Sequence, residues 1–253
     1  MSFITTIEAR MTSTRLPGKV MNKINGIPIL EILISRIKKA KHVNNILIAT
    51  TTNDIDNQIE DLANACDVKC FRGSEEDVLG RLSDALKKAK EEFVIQLTGD
   101  NPLIDPAIID FMANFFKKNN YDFVTNNGFM NMKDRDIPLG MDVSIFKKLD
   151  LINNSNDTED KEDREHPTLF FYRGGKSKYR VINVKMPKKW KNKKQFRLTL
   201  DTEEDFIVIN KICNHFREKF EEFSLEDILY FLNNNDDVAR INTDIKHKIP
   251  SGL

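Results

Sequence analysis

Over its first 125 residues the chain alternates short, β-prone apolar runs with stretches of helical period. Residues 3–8, 45–50, 68–71, 93–97 and 122–125 read as strands. Residues 28–40, 56–65, 77–90 and 106–118 read as helices. The first helix carries Leu30, Leu33, Ile34 and Ile37 at helical spacing, with Pro28 where a first turn tolerates proline. Such alternation predicts an α/β fold with a mostly parallel sheet and helices on both faces. Ligands of open sheets sit beyond the carboxyl ends of the strands. Three loops there are chemically loaded: 8–19, 72–81 and 98–105.

The remainder reads differently. Residues 126–178 are polar and irregular, and are expected to form an inserted arm, not a second domain, within a single domain spanning 1–253. The arm holds Phe129, Met130, Met132, Phe170, Phe171 and Tyr172, apolar residues of the kind that mark a partner surface. Residues 179–184 and 196–200 look like strands returning to the sheet, and 206–220 and 225–233 like helices. The Lys-rich run at 188–194 is expected to be a solvated turn.

Lys plus Arg and Asp plus Glu number 39 each, so formal net charge is zero. That balance excludes a globally basic nucleic-acid binder, and any charged ligand needs a local cluster. No apolar run approaches the roughly 18–20 residues of a membrane helix. The N-terminus has no signal-peptide pattern, so a cytoplasmic location is expected. Cys66, Cys70 and Cys213 lack zinc-site spacing and read as reduced thiols.

The first loop supplies the cluster. Glu8-Ala9-Arg10-Met11-Thr12-Ser13-Thr14-Arg15-Leu16-Pro17-Gly18-Lys19 places two Arg and one Lys directly after the first strand, with small hydroxyl residues between them. Arg grips phosphate oxygens with a fork, Lys adds a point charge, and loop amides add donors. The pattern is neither a P-loop nor a dinucleotide fingerprint. Lys19 reads as an exposed loop lysine with few packing partners. In the second loop, Ser74 and Glu75 to Asp77 suit a helix start, with Arg81 one turn beyond Asp77 for an ion pair. In the third, Thr98-Gly99-Asp100 puts a carboxylate at a strand tip, suited to holding Mg²⁺ against a triphosphate. Asp105 before Pro106 reads as a helix cap, and Thr202 with Asp205 as a capping box.

Ala9-Arg10-x4-Arg15-Leu16-Pro17-Gly18-Lys19, followed by Ile24-Asn-Gly-Ile-Pro-Ile-Leu-Glu31, resembles the cytidylyltransferases that activate acidic sugars, in particular their spore-coat polysaccharide branch. Thr98-Gly-Asp-Asn-Pro-Leu-Ile-Asp105, Pro138-Leu-Gly-Met-Asp142, Arg164-Glu165-His166-Pro-Thr168 and Asp201-Thr-Glu-Glu-Asp205 resemble that branch's motifs, in its order. The resemblance covers about residues 3–206. It implies a Rossmann-like nucleotidyltransferase fold of the glycosyltransferase-A type. It implies nucleotide contacts at Ala9, Arg10, Ser13, Lys19, Arg81, Thr98 and Asp100. Arg10, Arg15, Lys19 and Asp100 would be catalytic, Asp100 and Asp201 would hold Mg²⁺, and Asp142, Arg164, Glu165 and His166 would meet the acceptor. CTP, a small acidic or phosphorylated acceptor, and a homodimer using the arm are the implied partners. The chain departs from the branch at Glu8, where Gln is usual, and at Ser144, where Glu is usual. Glu8 is expected to point away from the triphosphate or to help hold a metal. Two other readings stay open: a nucleotide-sugar glycosyltransferase, though Thr98-Gly99-Asp100 is not the usual Asp-x-Asp, and a non-catalytic nucleotide-binding protein.

Overall fold

A computed structural model describes residues 1–173, 178–219 and 222–246. Residues 174–177 of the expected arm, and Phe220 at the end of one expected helix, lie outside them. The elements run β1 (Phe3–Glu8), β2 (Lys23–Ile24), β3 (Ile27–Pro28), α1 (Ile29–Ile37), β4 (Asn45–Thr51), α2 (Asn57–Ala65), β5 (Lys69–Gly73) and α3 (Val78–Lys87). Then come β6 (Phe93–Thr98), α4 (Pro106–Lys118), β7 (Phe123–Thr125), β8 (Ser144–Lys147), α5 (Lys148–Asp157) and α6 (Lys161–Glu165). The chain continues through β9 (Val181–Asn183), α7 (Glu203–His215), α8 (Leu225–Asn234) and α9 (Asp236–Ala239).

Seven strands form the main sheet in the order β5-β4-β1-β6-β8-β7-β9. The β1, β4, β5 and β6 pairings are parallel, as is β7 with β9, whereas β8 runs antiparallel to both its neighbours. Strand residues alternate between two cores, as a period of two requires. Phe3, Ile7, Ile48 and Ile95 face one with α1, α4, α7 and α8. Ile4, Leu47, Ala49 and Val94 face the other with α3 and α5. A sheet covered on both faces is what parallel strands need.

The structure corrects four expectations. The described residues of 126–178 are woven into the sheet: β8 lies inside it between β6 and β7, and α5 and α6 pack on α3. The sequence reads the aromatic residues there as a partner surface, but Phe171 is 0% exposed and stacks on Phe123 at 4.5 Å between centroids. An apolar ring gains more by closing the second core than by facing water, at about 1.5–3 kcal/mol per side chain. Residues 196–200 form no strand; they touch the sheet region through one parallel bridge, Leu139 to Arg197, although Leu198 and Leu200 are fully buried. Pro28 precedes α1 as its N-cap and ends the β2–β3 hairpin.

Candidate active site

The site begins where β1 and β6 end side by side. The Gly99 amide donates to the Glu8 carbonyl at 2.9 Å, and a Cβ on Gly99 would stand 3.0 Å from that oxygen. A side chain there would push the two strand tips apart by a few tenths of an ångström. The basic loop leaving β1 is tied down by two acids that sequence reading missed. Buried Asp56 accepts from the Met11 amide at 2.8 Å, from the Thr51 amide at 3.2 Å and from both hydroxyls of Thr50 and Thr51. Glu75 accepts from the Thr12 hydroxyl and from Asn53 Nδ2 at 2.6 Å, and pairs with Arg10 at 3.5 Å. Hydrogen bonds from Thr12 and then Asn53 hold the Glu75 carboxyl below its ordinary range. Asp56 sits at the entrance to a helix, where a carboxylate already has a local explanation, so its long-range role left no mark in sequence.

Lys19 is the hub. It is buried at 9% exposure, not the exposed loop residue expected. Its Nζ donates to Asp100 Oδ2 at 3.1 Å, Asp201 Oδ1 at 2.9 Å and the Leu200 carbonyl at 2.7 Å. The two carboxylate oxygens therefore lie at most 6.0 Å apart, the sum of the first two lengths. Arg15 reaches the same Asp201 oxygen at 2.9 Å, and buried Arg197 grips its Oδ2 at 2.6 Å while holding Asp205 at 2.9 Å. Burial works against the charge on Asp201, but Lys19, Arg15 and Arg197 outweigh it and keep the carboxyl below the usual range. Burial likewise opposes the Lys19 charge, and Asp100 and Asp201 together raise its pKa. Thr98 Oγ1 donates to Asp100 Oδ1 at 2.6 Å. Arg197 was not foreseen, because it comes from a segment read as strand interior.

Two cavities meet at this cluster. One of about 420 Å³ is lined by Ala9, Arg10, Ser13, Arg15, Lys19, Arg81, Thr98, Asp100 and Asp201, which gathers every residue expected to touch the nucleotide. An adjoining one of about 270 Å³ holds Asp142 and Ser144 and shares Arg15, Thr98, Asp100, Asp201, Glu165 and His166 with the first. The loop bearing Asp142 is placed by Gly140, whose φ of +94° and close approach, 2.5 Å from a built Cβ to the Leu198 carbonyl carbon, leave room for glycine alone. Buried Arg135 pairs with Asp142. A larger hollow of about 750 Å³ lies at the opposite end of β4 and β5 and contains none of these residues.

Other expected residues are placed differently. Arg164 lines neither cavity; it pairs with Asp77 at 2.6 Å and donates to the Ser155 carbonyl at 2.7 Å. Asp77 caps α3 by accepting from Gly80, so it pairs with Arg164 and not with Arg81 as expected. Arg81 is buried and donates to the Ser74 carbonyl. Glu8 neither points away nor joins Asp100. It lies in the wall of the nucleotide cavity, where Gln96 donates to its Oε2 at 3.1 Å and burial pushes its pKa up to about 7. The cap of α4 at Asp105 and the Thr202–Asp205 capping box are as expected, and Asp105 also accepts from the Leu225 amide at 2.7 Å.

Residues 4–239 match the cytidylyltransferase family. The chain belongs to that family. Among its relatives is the spore coat polysaccharide biosynthesis protein SpsF of Bacillus subtilis, 33% identical over 240 residues, 92% of this chain and 95% of that one. The 8-amino-3,8-dideoxy-manno-octulosonate cytidylyltransferase of Shewanella piezotolerans is 34% identical over 122 residues, 46% of this chain and 48% of that one. A solved cytidylyltransferase from Leptospira borgpetersenii superposes with a TM-score of 0.86 at 32% identity, covering 98% of this chain and all of that one. Membership makes the chain a nucleotidyltransferase enzyme. The expected fold is the one observed, and the glycosyltransferase and non-catalytic readings fall away.

Proposed function

We propose that this cytidylyltransferase moves CMP from CTP to an acidic sugar, or to a phosphate-bearing acceptor, for surface polysaccharide synthesis. The observation that carries the reading is the junction of two cavities at Arg15, Thr98, Asp100 and Asp201. A triphosphate on one side and an acceptor oxygen on the other would meet there at the α-phosphorus. The acceptor oxygen forms the new P–O bond, the bond to the β-phosphate bridging oxygen breaks, and pyrophosphate leaves with that electron pair. Such a reaction asks for positioning and charge neutralisation more than for covalent help. Arg10, Arg15 and Lys19 supply the positive charge. Arg15, present in both cavities, is also the cation nearest to hand for an acceptor carboxylate.

Asp100 and Asp201 fit Mg²⁺. They are hard oxygen donors, Asp100 just beyond β6 and Asp201 in the loop before α7, whose oxygens converge on the Lys19 ammonium, and this ion is commonly held by one or two carboxylates with waters and substrate phosphates completing its shell. When bound it would neutralise charge on the triphosphate oxygens. The relatives named for spore-coat polysaccharide and for an amino octulosonate support the acceptor class. A homodimer belongs to the same proposal and rests on the resemblance, and a cytoplasmic location is proposed with it. Among the described residues no helix is long and apolar enough to cross a membrane. The test is pyrophosphate release from each of the four nucleoside triphosphates with Mg²⁺, across a panel of acidic sugars and phosphate monoesters. Release with CTP and a sugar acid is expected; release that ignores the acceptor panel, or prefers another nucleotide, overturns the reading.

A further inference from the structure

Three elements converge on the inner wall of the nucleotide cavity: the last residue of β1, Glu8; Gln96 of β6; and Arg81 of α3. Only one Glu8 oxygen is occupied, by Gln96 Nε2 at 3.1 Å. The other, Oε1, is buried without a hydrogen-bond partner, and so is Arg81 Nε. A buried carboxylate oxygen left without a donor has given up its water without replacement, and beside a ligand cavity the ligand can supply the missing donor. Nothing in the phosphate chemistry provides that use, because an acid repels a triphosphate. A nucleobase edge does. Cytosine presents an exocyclic N4 amine, which carboxylates accept, whereas a uracil-type ring presents the O4 acceptor at that position.

We infer that the Glu8 carboxylate reads the N4 amine of the cytosine ring and so sets the enzyme's discrimination of CTP from UTP. Arg81 beside it offers donors to the ring's acceptor edge. The inference rests on the cytidylyl-transfer reading and deepens it. The Gln usual at this position in the resembling branch carries a carbonyl and an amide, and can meet either ring by rotating. In its ionised form a carboxylate at position 8 has only acceptors to offer, which makes this chain the stricter reader.

Equilibrium binding tests this without knowledge of the acceptor. CTP, UTP and the triphosphate of 2-pyrimidinone riboside, which lacks the amine, are titrated with Mg²⁺ into wild type and Glu8→Gln. Wild type is expected to prefer CTP over UTP by about 10–100-fold, the worth of a charge-assisted hydrogen bond. Glu8→Gln should cut that ratio at least tenfold while binding the amine-free analogue as wild type does. A variant that weakens all three nucleotides equally assigns Glu8 a structural role and overturns the inference, as does an unchanged CTP-to-UTP ratio. If wild type binds neither CTP nor UTP, the cytidylyl-transfer reading fails first and takes this one with it. If it binds CTP and Glu8→Gln keeps the ratio, only the role of Glu8 fails.

Discussion

Replacing Lys19 by Met keeps most of the side chain's volume and removes only the ammonium. All three of its donors are engaged, by Asp100, Asp201 and the Leu200 carbonyl. Breaking a buried ion pair from one side typically costs about 3–5 kcal/mol. Here Asp201 keeps Arg15 and Arg197, and Asp100 keeps Thr98 and is partly exposed, so the lower end applies, about 3 kcal/mol. In a chain of this size each kcal/mol moves Tm by roughly 2–4 °C, giving a fall of about 6–12 °C by calorimetry. The pH window follows from the two shifts. Asp201, with its pKa below the ordinary 3.8, contributes stability that is present above that value and lost as pH falls through the folded-state pKa. Lys19, raised above 10.5, contributes stability present below that value and lost as pH rises through its folded-state pKa. The wild-type advantage should therefore be widest between about pH 4 and 10. Millimolar Mg²⁺ should restore part of the lost Tm in the variant, since the two carboxylates then repel each other across a gap an ion can fill. The kcat/KM for CTP should drop roughly 10²–10³-fold. A Tm within 2 °C of wild type would refute the hub, and a Tm that ignores Mg²⁺ would refute the shared ion site.

Asp100→Asn should abolish pyrophosphate release while Tm stays within a few degrees, because this carboxylate is the more exposed of the pair; near-normal turnover at saturating Mg²⁺ would count against it as an ion ligand. Glu8→Gln should gain stability on wild type as pH rises. The wild-type carboxyl, lifted from 4.5 to about 7, makes the folded state bind the extra proton, so its contribution is whole below 4.5 and lost by about 3 kcal/mol as pH rises through 7. Denaturation of both proteins from pH 5 to 8 checks this, and parallel curves would reject it. Arg164→Ala should destabilise by about 1 kcal/mol, and by no more in an Asp77→Ala background; a change confined to the acceptor's KM would return Arg164 to the site.

The nucleotide half was legible because its parts are local. A strand, a turn and a helix cap each leave a short signature, so Lys19 reads as a loop residue, Asp100 as a strand tip and Asp201 as the residue before a capping box, although no strand leads into it. What failed was long-range. β8 is only four residues, Ser144–Lys147, inside a polar stretch, and nothing in its own pattern says it enters the middle of a sheet. Leu198 and Leu200 are apolar and alternate, yet they are buried by loop packing and not by a ladder. Arg197 lies in a segment that reads as strand interior, and Asp56 has a local explanation of its own at a helix start. Lys19 reads as exposed because a lysine beside Pro17 and Gly18 in a polar loop usually is; two distant aspartates bury it instead.

The reversed strand has a consequence for how such an enzyme can change. Parallel strands present their trailing loops to the ligand, but β8 enters the sheet from the ligand side. Its first residue, Ser144, lies opposite Gln96, and its hydroxyl meets that of Thr125 at 3.0 Å. The segment that leads into it, carrying Gly140 and Asp142, is thus delivered to the reaction from the front of a strand. Insertions or exchanges between 126 and 143 can reshape the acceptor cavity while the register of β1, β4 and β6 holds the triphosphate loop still. One side of the chemistry is free to drift toward new sugars, and the other is anchored.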